Sequence, residues 1–203
     1  GAPSPLGEGW GEVQGETKAP DLIQKLERIE CYDISNIQGT NATGSMVVFV
    51  NGEKESSQYR KFKIRMENKP NDFAMMKEVL RRRFLHDEWD TPDLVIVDGG
   101  KGQVSAAMEI LGETNIPLIG LAKREETIII PQFPISNFKL QISNETNKKD
   151  IRDLKLDIGN LKFLEVKLPK HSPALHLITR IRDEAHRFAI TYHRHLRSKA
   201  ATK

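Results

Sequence analysis

Cysteine is nearly absent from this chain of 203 residues, because Cys31 is the only one. A single cysteine excludes an internal disulfide bond and any zinc site built from cysteine thiolates. Long apolar runs are also missing, since no stretch approaches the roughly 18 consecutive apolar residues of a membrane helix. The first residues lack the basic region and apolar stretch of a secretory signal peptide. We therefore expect a cytoplasmic protein that makes no contact with a membrane.

The net charge of +3 is small, but the basic residues are concentrated near one end of the chain. Residues 166–203 hold nine Lys or Arg against Asp183 and Glu184, together with five of the six histidines. Local positive charge of this kind indicates a polyanionic partner, because neutralising phosphates releases counterions and drives binding. A solvated face of a helix would produce the same pattern, so both explanations stay open.

The length of the chain predicts one domain with room for a tail or an insertion. Residues 1–20 are rich in Gly and Pro and offer little apolar surface, so we expect a disordered leader or an expression remnant. The domain then covers residues 21–203 and opens with a short helix over 21–26. Residues 132–165 are polar and dense in charge, and we interpret them as a surface insertion between two hairpin strands. A role of this insertion in binding a partner stays open as the alternative.

Strands and helices alternate along the rest of the chain in the order strand, strand, strand, helix, strand, helix, strand. Asn51-Gly52 indicates a hairpin, because both residues tolerate positive φ. The order predicts a ribonuclease H-like α/β fold, with a mixed five-stranded sheet flanked by helices and its first and fourth strands adjacent. The predicted strands are 28–34, 46–50, 60–65, 94–97, 116–121 and 127–130, with 161–167 returning to the sheet, and the helices begin near Asp72, Lys101 and Pro173.

One predicted strand, over residues 60–65, alternates between two kinds of side chain. Arg60, Phe62 and Ile64 share one face, and the basic Lys61 and Lys63 share the other. A row of basic residues on a half-exposed strand is one way to build a nucleic-acid surface. Charged residues on an edge strand also prevent sheets from pairing with one another, which explains the same pattern without a ligand.

Two short apolar strands each lead directly into an aspartate, at Asp33 and at Asp98. A carboxylate at the end of a buried strand is costly to desolvate unless a positive charge compensates it. Carboxylate oxygens suit Mg²⁺ or Mn²⁺, and His186 at the margin of the last helix could add a nitrogen ligand. Paired ions of this kind can hydrolyse a phosphodiester. Taken singly, an aspartate after a strand is most often a turn former, and a histidine on a helix is usually an ordinary packed or surface residue.

Three stretches resemble, in order, motifs of the C-terminal endonuclease domain of UvrC, the excinuclease subunit of bacterial nucleotide excision repair. They are residues 29–39 (IECYDISNIQG), 97–103 (VDGGKGQ) and 181–190 (IRDEAHRFAI). Residues 120–126 (GLAKREE) and 171–175 (HSPAL) match as well. By its spacing alone, the glycine-rich run after Asp98 fits a tight strand-to-helix turn better than a phosphate-binding loop.

The resemblance implies a ribonuclease H-like fold and an Asp-Asp-His triad that both binds metal and catalyses. It also implies hydrolysis of a phosphodiester by a metal-activated water, with Mg²⁺ or Mn²⁺ as cofactor. The substrate would be double-stranded DNA with a lesion, cut on the 5′ side after UvrA and UvrB have located the damage. Carried over by motif, the triad is Asp33, Asp98 and His186. The predicted DNA-binding residues are Lys101, Arg182 and Arg187 in matching motifs, with Arg194 on the basic last helix.

Some parts of the family pattern have no counterpart in this sequence. We find no GIY-YIG nuclease domain, no UvrB-binding helical hairpin and no helix-hairpin-helix pair, and the 132–165 insertion is unlike the family. We therefore expect a fragment or a shortened relative. Two other functions stay open: a noncatalytic DNA-binding module that uses the basic last helix, and an enzyme of the same fold that acts on RNA or branched junctions.

Overall fold

The computed structural model describes residues 26–35, 42–64, 71–112, 114–132 and 161–201. The side chains of Arg124 and of residues 192–201 lie outside this description. Three predicted segments also fall outside it: the leader 1–20, residues 21–25 of the first predicted helix and residues 133–160 of the insertion. None of the described helices is long and apolar enough to cross a lipid bilayer.

Within the described residues, eight strands form a single mixed sheet with three helices packed on it. The sheet order is β3-β2-β1-β5-β6-β7-β8, and β4 also pairs with β2. β1, β5 and β6 run parallel, whereas the other pairs are antiparallel. The strands are β1 Arg28–Ser35, β2 Thr43–Val50, β3 Glu53–Lys54, β4 Arg60–Lys63, β5 Leu94–Asp98, β6 Leu118–Ala122, β7 Thr127–Gln132 and β8 Lys162–Val166; the helices are α1 Asp72–Arg83, α2 Lys101–Leu111 and α3 Pro173–Ala201.

The predicted mixed α/β fold is confirmed, and β1 and β5, which correspond to the predicted first and fourth strands, are neighbours. The predicted number of five strands is corrected to eight in the part of the chain that the structure describes, because β7 and β8 extend the sheet beyond β6 and the short β3 adds to its other side. The pairing of β7 with β8 places the predicted insertion between two hairpin strands. The two strands leave residues 133–161 between them, and the interpretation of this segment as a surface insertion stays a prediction.

The Asn51-Gly52 turn is present, with φ of 50° at Asn51 and 78° at Gly52. The strand that follows it directly is the two-residue β3, so the predicted hairpin partner at 60–65 is displaced along the chain. A 3₁₀ turn over Ser56–Gln58 separates β3 from β4, and β4 then pairs with the opposite end of β2. Both strands therefore occupy the same side of β2.

The two faces of the sheet carry different helices. Because side chains alternate along a strand, Ile29 and Cys31 of β1 face α3, whereas Glu30 and Tyr32 face α1 and α2. On the α3 face, Ile181 and Ala185 are fully buried against β1, β2 and β5. On the other face, a larger cluster joins the buried sides of α1 and α2 to the sheet.

A buried ion cluster connects β1 to α1 on that second face. The carboxylate of Glu30 is fully buried and accepts hydrogen bonds from Arg28 at 2.9 Å, Arg83 at 2.9 Å and Tyr32 at 2.6 Å. Arg83 also donates to the carbonyl of Asp90 at 2.6 Å, which fixes the loop after α1. The pairing offsets the desolvation of Glu30, so the cluster positions β1 without leaving a buried charge alone.

Candidate metal centre

Asp33 and Asp98 lie side by side on the α3 face of the sheet. The parallel ladder pairs Cys31 with Ile96 and Tyr32 with Val97, so the next pair of positions is Asp33 and Asp98. The alternation that directs Cys31 and Ile96 toward α3 directs both aspartates to that same side. Sequence alone predicted this neighbourhood, and the register agrees with it.

His186 reaches the two aspartates from α3. Its Nδ1 lies 3.2 Å from Oδ2 of Asp33, and one ligand atom from each of the three side chains lies within 4.8 Å of the others. The buried residues Ile181 and Ala185 hold this part of α3 against the sheet. The imidazole is about half exposed, whereas both carboxylates are buried, so the cluster is open to solvent on the helix side.

The carboxylate of Asp98 is buried without a hydrogen-bond partner among the described residues, at either oxygen. Burial raises the pKa of Asp98, and the negative charge of Asp33 raises it further. Lys123, Arg182 and His186 oppose that rise in pKa. A buried carboxylate with unused lone pairs, next to a second carboxylate and an imidazole, is a donor set that suits a divalent cation.

The chain turns sharply after Asp98, and glycines permit this turn. Gly100 caps the start of α2 with extended backbone, so the Gly-Gly-Lys-Gly run forms the predicted strand-to-helix turn. Gly120 on the neighbouring β6 allows close approach, since a Cβ there would lie 2.7 Å from the carbonyl oxygen of Gly99. This connection places Lys101 in the first turn of α2, shortly after Asp98 in the sequence.

Each predicted DNA-binding residue with a described side chain is already paired with a carboxylate. Lys101 lies 2.6 Å from Glu165 across the α2–β8 gap. Arg187 forms a 2.6 Å ion pair with Glu184 one turn earlier on α3. The Arg182 guanidinium binds Asp183 at 2.8 Å and Glu126 at 3.4 Å and is mostly buried. The side chain of Arg194 lies outside the described residues.

The ion pair of Arg187 belongs to a small cluster that holds α3 to the β2–β4 side of the sheet. The buried Glu184 carboxylate accepts hydrogen bonds from Arg187 and from Lys54 of β3 at 2.7 Å. The hydrogen bond from Arg187 is the largest cause that lowers the pKa of Glu184 to about 2, although burial opposes it. Tyr59 donates to the same carboxylate and packs edge-on against Phe188. Arg187 therefore has a structural contact in addition to any contact with DNA.

Three residues near the centre were not predicted from the sequence to lie beside the two aspartates. The Lys123 ammonium lies 3.7 Å from Oδ2 of Asp98. Ser45 is paired with Asp33 across β1 and β2, and its buried hydroxyl has no partner among the described residues. Lys61 is paired with Ser45 across β2 and β4. The alternation of side chains along β4 was visible in the sequence, but only the register of the paired strands shows that Lys61 lies in line with Asp33.

The family model for the UvrC RNase H endonuclease domain matches residues 17–190. The chain belongs to this family. The matched region includes all eight strands, the Asp33–Asp98–His186 cluster and the described side chains of α3 up to Ile190. The ribonuclease H-like fold follows from this match together with the observed mixed sheet.

Several curated relatives named UvrABC system protein C are similar to this chain. The protein from Prosthecochloris aestuarii is 46% identical over 183 residues, which cover 88% of this chain and 25% of the relative. The protein from Chlorobaculum tepidum is 45% identical over 200 residues, covering 93% of this chain and 27% of the relative. The chain therefore spans about a quarter of the length of these UvrC relatives.

A more distant similarity connects this chain with solved structures of endonuclease V. One is the Ciona intestinalis enzyme in complex with a 24mer DNA that contains an inosine followed by a ribo-adenosine. It is 17% identical, covers 47% of this chain and 45% of that chain, and has a TM-score of 0.37. Human endonuclease V matches at 15% identity over 48% of this chain and 46% of that chain, with a TM-score of 0.37.

Proposed function

We propose that this chain is a divalent-metal-dependent DNA endonuclease domain that makes the 5′ incision beside a lesion in nucleotide excision repair. The observation that carries the proposal is the buried, unpartnered carboxylate of Asp98, set beside Asp33 and His186. Membership of the UvrC RNase H endonuclease domain family supports the same reaction. The names of the relatives support a role within the UvrABC system. We place this role in the cytoplasm, as the sequence predicts.

Asp33, Asp98 and His186 are the residues that would hold the metal. The two carboxylates supply oxygen ligands and His186 supplies a nitrogen, a mixed set compatible with Mg²⁺ and more favourable to Mn²⁺. A divalent ion at such a site can polarise a phosphoryl oxygen and lower the pKa of a coordinated water. His186 must be neutral to offer a ring nitrogen to the ion, and both aspartates must be ionised.

The reaction is hydrolysis of one phosphodiester bond of the DNA backbone. A water oxygen forms a bond to phosphorus while the bond from phosphorus to one sugar oxygen breaks. One proton of the water ends on that sugar oxygen, and the remaining hydroxyl stays on the phosphate. The side chains of Asp33, Asp98 and His186 would hold the metal ion at a fixed position, because β1 and β5 lie inside the sheet and α3 is anchored by buried residues.

Phosphate contacts would come from basic residues around the metal centre. Lys101 lies in the first turn of α2 after Asp98, and Arg182 and Arg187 lie within one turn of His186 on α3. Lys61 is the outer member of the cross-strand row that also holds Ser45 and Asp33, and it is exposed to solvent. We include Arg194 with them because it follows on the same basic helix. Through contacts with phosphates, these basic residues can hold a DNA backbone in place without recognising its base sequence.

UvrB, and UvrA indirectly, would direct the domain to damaged DNA. The support is the shared name of the relatives, UvrABC system protein C, of which this chain covers about a quarter. The selection of a lesion would therefore depend on these partners, whereas incision chemistry would belong to the described cluster.

The proposal is tested with supercoiled plasmid DNA and Mn²⁺ or Mg²⁺ as the added ion. We expect nicking by the wild-type chain and none by Asp33→Asn or Asp98→Asn, because each substitution removes an anionic ligand. Asp87→Asn is the matched control, since Asp87 is exposed in the loop after α1, outside the Asp33–Asp98–His186 cluster. Nicking that persists in both active-site variants would contradict the proposal.

A further inference from the structure

Lys123 lies at the start of the turn that joins β6 to β7, at the margin of the metal centre. Leu121 of β6 is paired with Asp98 of β5 in the parallel ladder. Lys123 follows two residues later, on the same side of the sheet, and its ammonium lies 3.7 Å from Oδ2 of Asp98. Its side chain is 70% exposed, whereas that of Asp98 is 1% exposed. The ammonium therefore approaches the buried carboxylate from the solvent side.

The Lys123 ammonium does not use the ligand positions of Asp98. A separation of 3.7 Å exceeds the ~2.7–3.2 Å of an N–H···O hydrogen bond. Both oxygens of Asp98 accordingly remain without a hydrogen bond among the described residues. The lysine and a metal ion can thus occupy the site at the same time.

Two other cations beside the centre, Arg182 and Lys101, are paired with other carboxylates. Arg182 binds Asp183 and Glu126, and Lys101 binds Glu165. Among the described residues, the only carboxylate within 4.0 Å of the Lys123 ammonium is that of Asp98 itself. Of Arg182, Lys101 and Lys123, it is therefore Lys123 that an incoming phosphate can engage without displacing an ion pair to a carboxylate outside the centre.

The turn that carries Lys123 has unusual backbone geometry. Glu125 and Glu126 both have left-handed φ values, of 60° and 49°. Such residues are costly and persist when the surrounding structure holds them in place. Two contacts do so here: Glu126 lies 3.4 Å from Arg182 of α3, and Glu125 pairs with Lys167, the residue after β8. The backbone of the turn that follows Lys123 is thus held by contacts with α3 and with Lys167.

The charges of the centre leave a role for one more cation. Two carboxylates balance one divalent ion, whereas a phosphodiester under attack by water gains negative charge on its non-bridging oxygens. A pre-positioned cation next to this developing charge accelerates such a reaction. We propose that Lys123 is a further catalytic residue, whose ammonium contacts a non-bridging oxygen of the scissile phosphate in place of a second metal ion. Lys123 keeps its proton throughout, and no bond to it forms or breaks.

The inference rests on the proposed endonuclease function and is tested by replacing the charge of Lys123. In single-turnover nicking of supercoiled plasmid with Mn²⁺, we expect Lys123→Met to be slower by about 10²- to 10³-fold, the usual effect of removing one transition-state donor. Lys123→Arg should recover much of the rate because it keeps the charge. Lys77→Met is the matched control, since Lys77 pairs with Glu109 on the opposite face of the sheet.

Binding of Mn²⁺ without DNA, followed by electron paramagnetic resonance, separates catalysis from a structural role. Lys123→Met should bind Mn²⁺ as tightly as wild type or a few-fold more tightly, because it removes a positive charge close to a ligand. Weaker Mn²⁺ binding would show that Lys123 merely positions Asp98 and would overturn the inference. Lys123→Gln provides a second neutral variant if the methionine variant does not fold.

The possible failures are distinguishable. A wild-type chain that does not nick DNA would overturn the proposed function and this inference with it. Nicking by Lys123→Met at the rate of Lys77→Met would overturn the inference alone and leave the metal centre in place. A large loss of rate with unchanged or tighter Mn²⁺ binding supports the catalytic role of Lys123.

Discussion

At the scale of single residues, Asp98 is a candidate metal ligand whose buried carboxylate is costly to the fold. Its carboxylate is buried beside Asp33 and accepts no hydrogen bond from the described residues. An apolar or neutral residue would suit this position better if folding were the only demand. The conflict between local stability and the residue present is typical of a functional site.

We therefore expect Asp98→Asn to stabilise the metal-free protein. Burial and the charge of Asp33 raise the pKa of Asp98 in the folded state. The stability of the metal-free wild type thus falls as pH rises from the ordinary pKa of an aspartate through the raised value, and the amide escapes this loss. Near neutral pH, the thermal midpoint should rise by about 2–4 °C per kcal/mol gained. A midpoint that falls in Asp98→Asn without metal would contradict the assignment.

Glu30 presents the opposite case, because its buried charge is fully paired. Removing Arg83 leaves the buried carboxylate of Glu30 with one cation, Arg28, and the hydroxyl of Tyr32 as its partners among the described residues. Arg83→Met should lower the free energy of unfolding by about 3 kcal/mol, near the lower end for breaking a buried ion pair. Urea unfolding measures this change, and the exposed Arg81 on the same helix gives the control Arg81→Met. Equal losses in the two variants would show that the cluster contributes little.

At the scale of elements, α3 delivers His186 to the sheet, and two kinds of contact hold it there. Ile181 and Ala185 pack into the apolar face of β1, β2 and β5. Glu184 adds the ion pairs to Arg187 and Lys54. The orientation of His186 therefore depends on side chains that do not touch the metal centre.

The contribution of Glu184 should depend on pH in a defined window. The hydrogen bond from Arg187 lowers the pKa of Glu184 to about 2, below its ordinary value of 4.5. The stability that it supplies is thus present above pH 4.5 and is lost as pH falls toward 2. Because Arg187 and Lys54 are largely exposed, we expect only about 1–2 kcal/mol at pH 6. The difference in unfolding free energy between wild type and Glu184→Gln should shrink at pH 3; a constant difference would contradict the ion-pair explanation.

A second prediction concerns the contribution of Lys61 on β4 to the binding of DNA. Lys61 is in register with Ser45 and Asp33, so its charge lies on the face that holds the metal centre. Lys61→Met should weaken the binding of DNA in Ca²⁺ and reduce the slope of log affinity against log salt by about one. Lys77→Met on the opposite face should leave this slope unchanged. An unaltered slope in Lys61→Met would favour the alternative of edge-strand protection.

Elements and their residues differ in how far the sequence predicts them. The strands before Asp33 and Asp98 are short apolar runs, so their type and adjacency were predictable, as was the turn at Asn51-Gly52. The separation of β4 from that turn along the chain was not predictable, because a hydrophobic pattern does not show where the pairing of two strands resumes. Lys123 lies in the matching stretch 120–126 but was missed, because only the pairing of Leu121 with Asp98 places it next to the candidate metal ligands.

At the scale of the whole molecule, the middle of the sheet carries the candidate metal centre. β1 and β5 are interior strands, so the two aspartates are fixed by ladders on both sides. α3 closes one face above them, while the Glu30 cluster and the helices α1 and α2 fix the other. The chain spans about a quarter of its UvrC relatives, and this quarter holds the complete cluster of candidate ligands.

The most direct test of the proposed metal site is anomalous diffraction from crystals of the chain soaked in Mn²⁺. We predict an anomalous peak bound by Asp33, Asp98 and His186, with ligand distances near 2.0–2.2 Å typical of small divalent ions. The Lys123 ammonium should lie outside the coordination shell of that ion. A fully soaked crystal with no peak among these three side chains, or with Mn²⁺ bound only elsewhere, would contradict the proposal that they hold the metal ion.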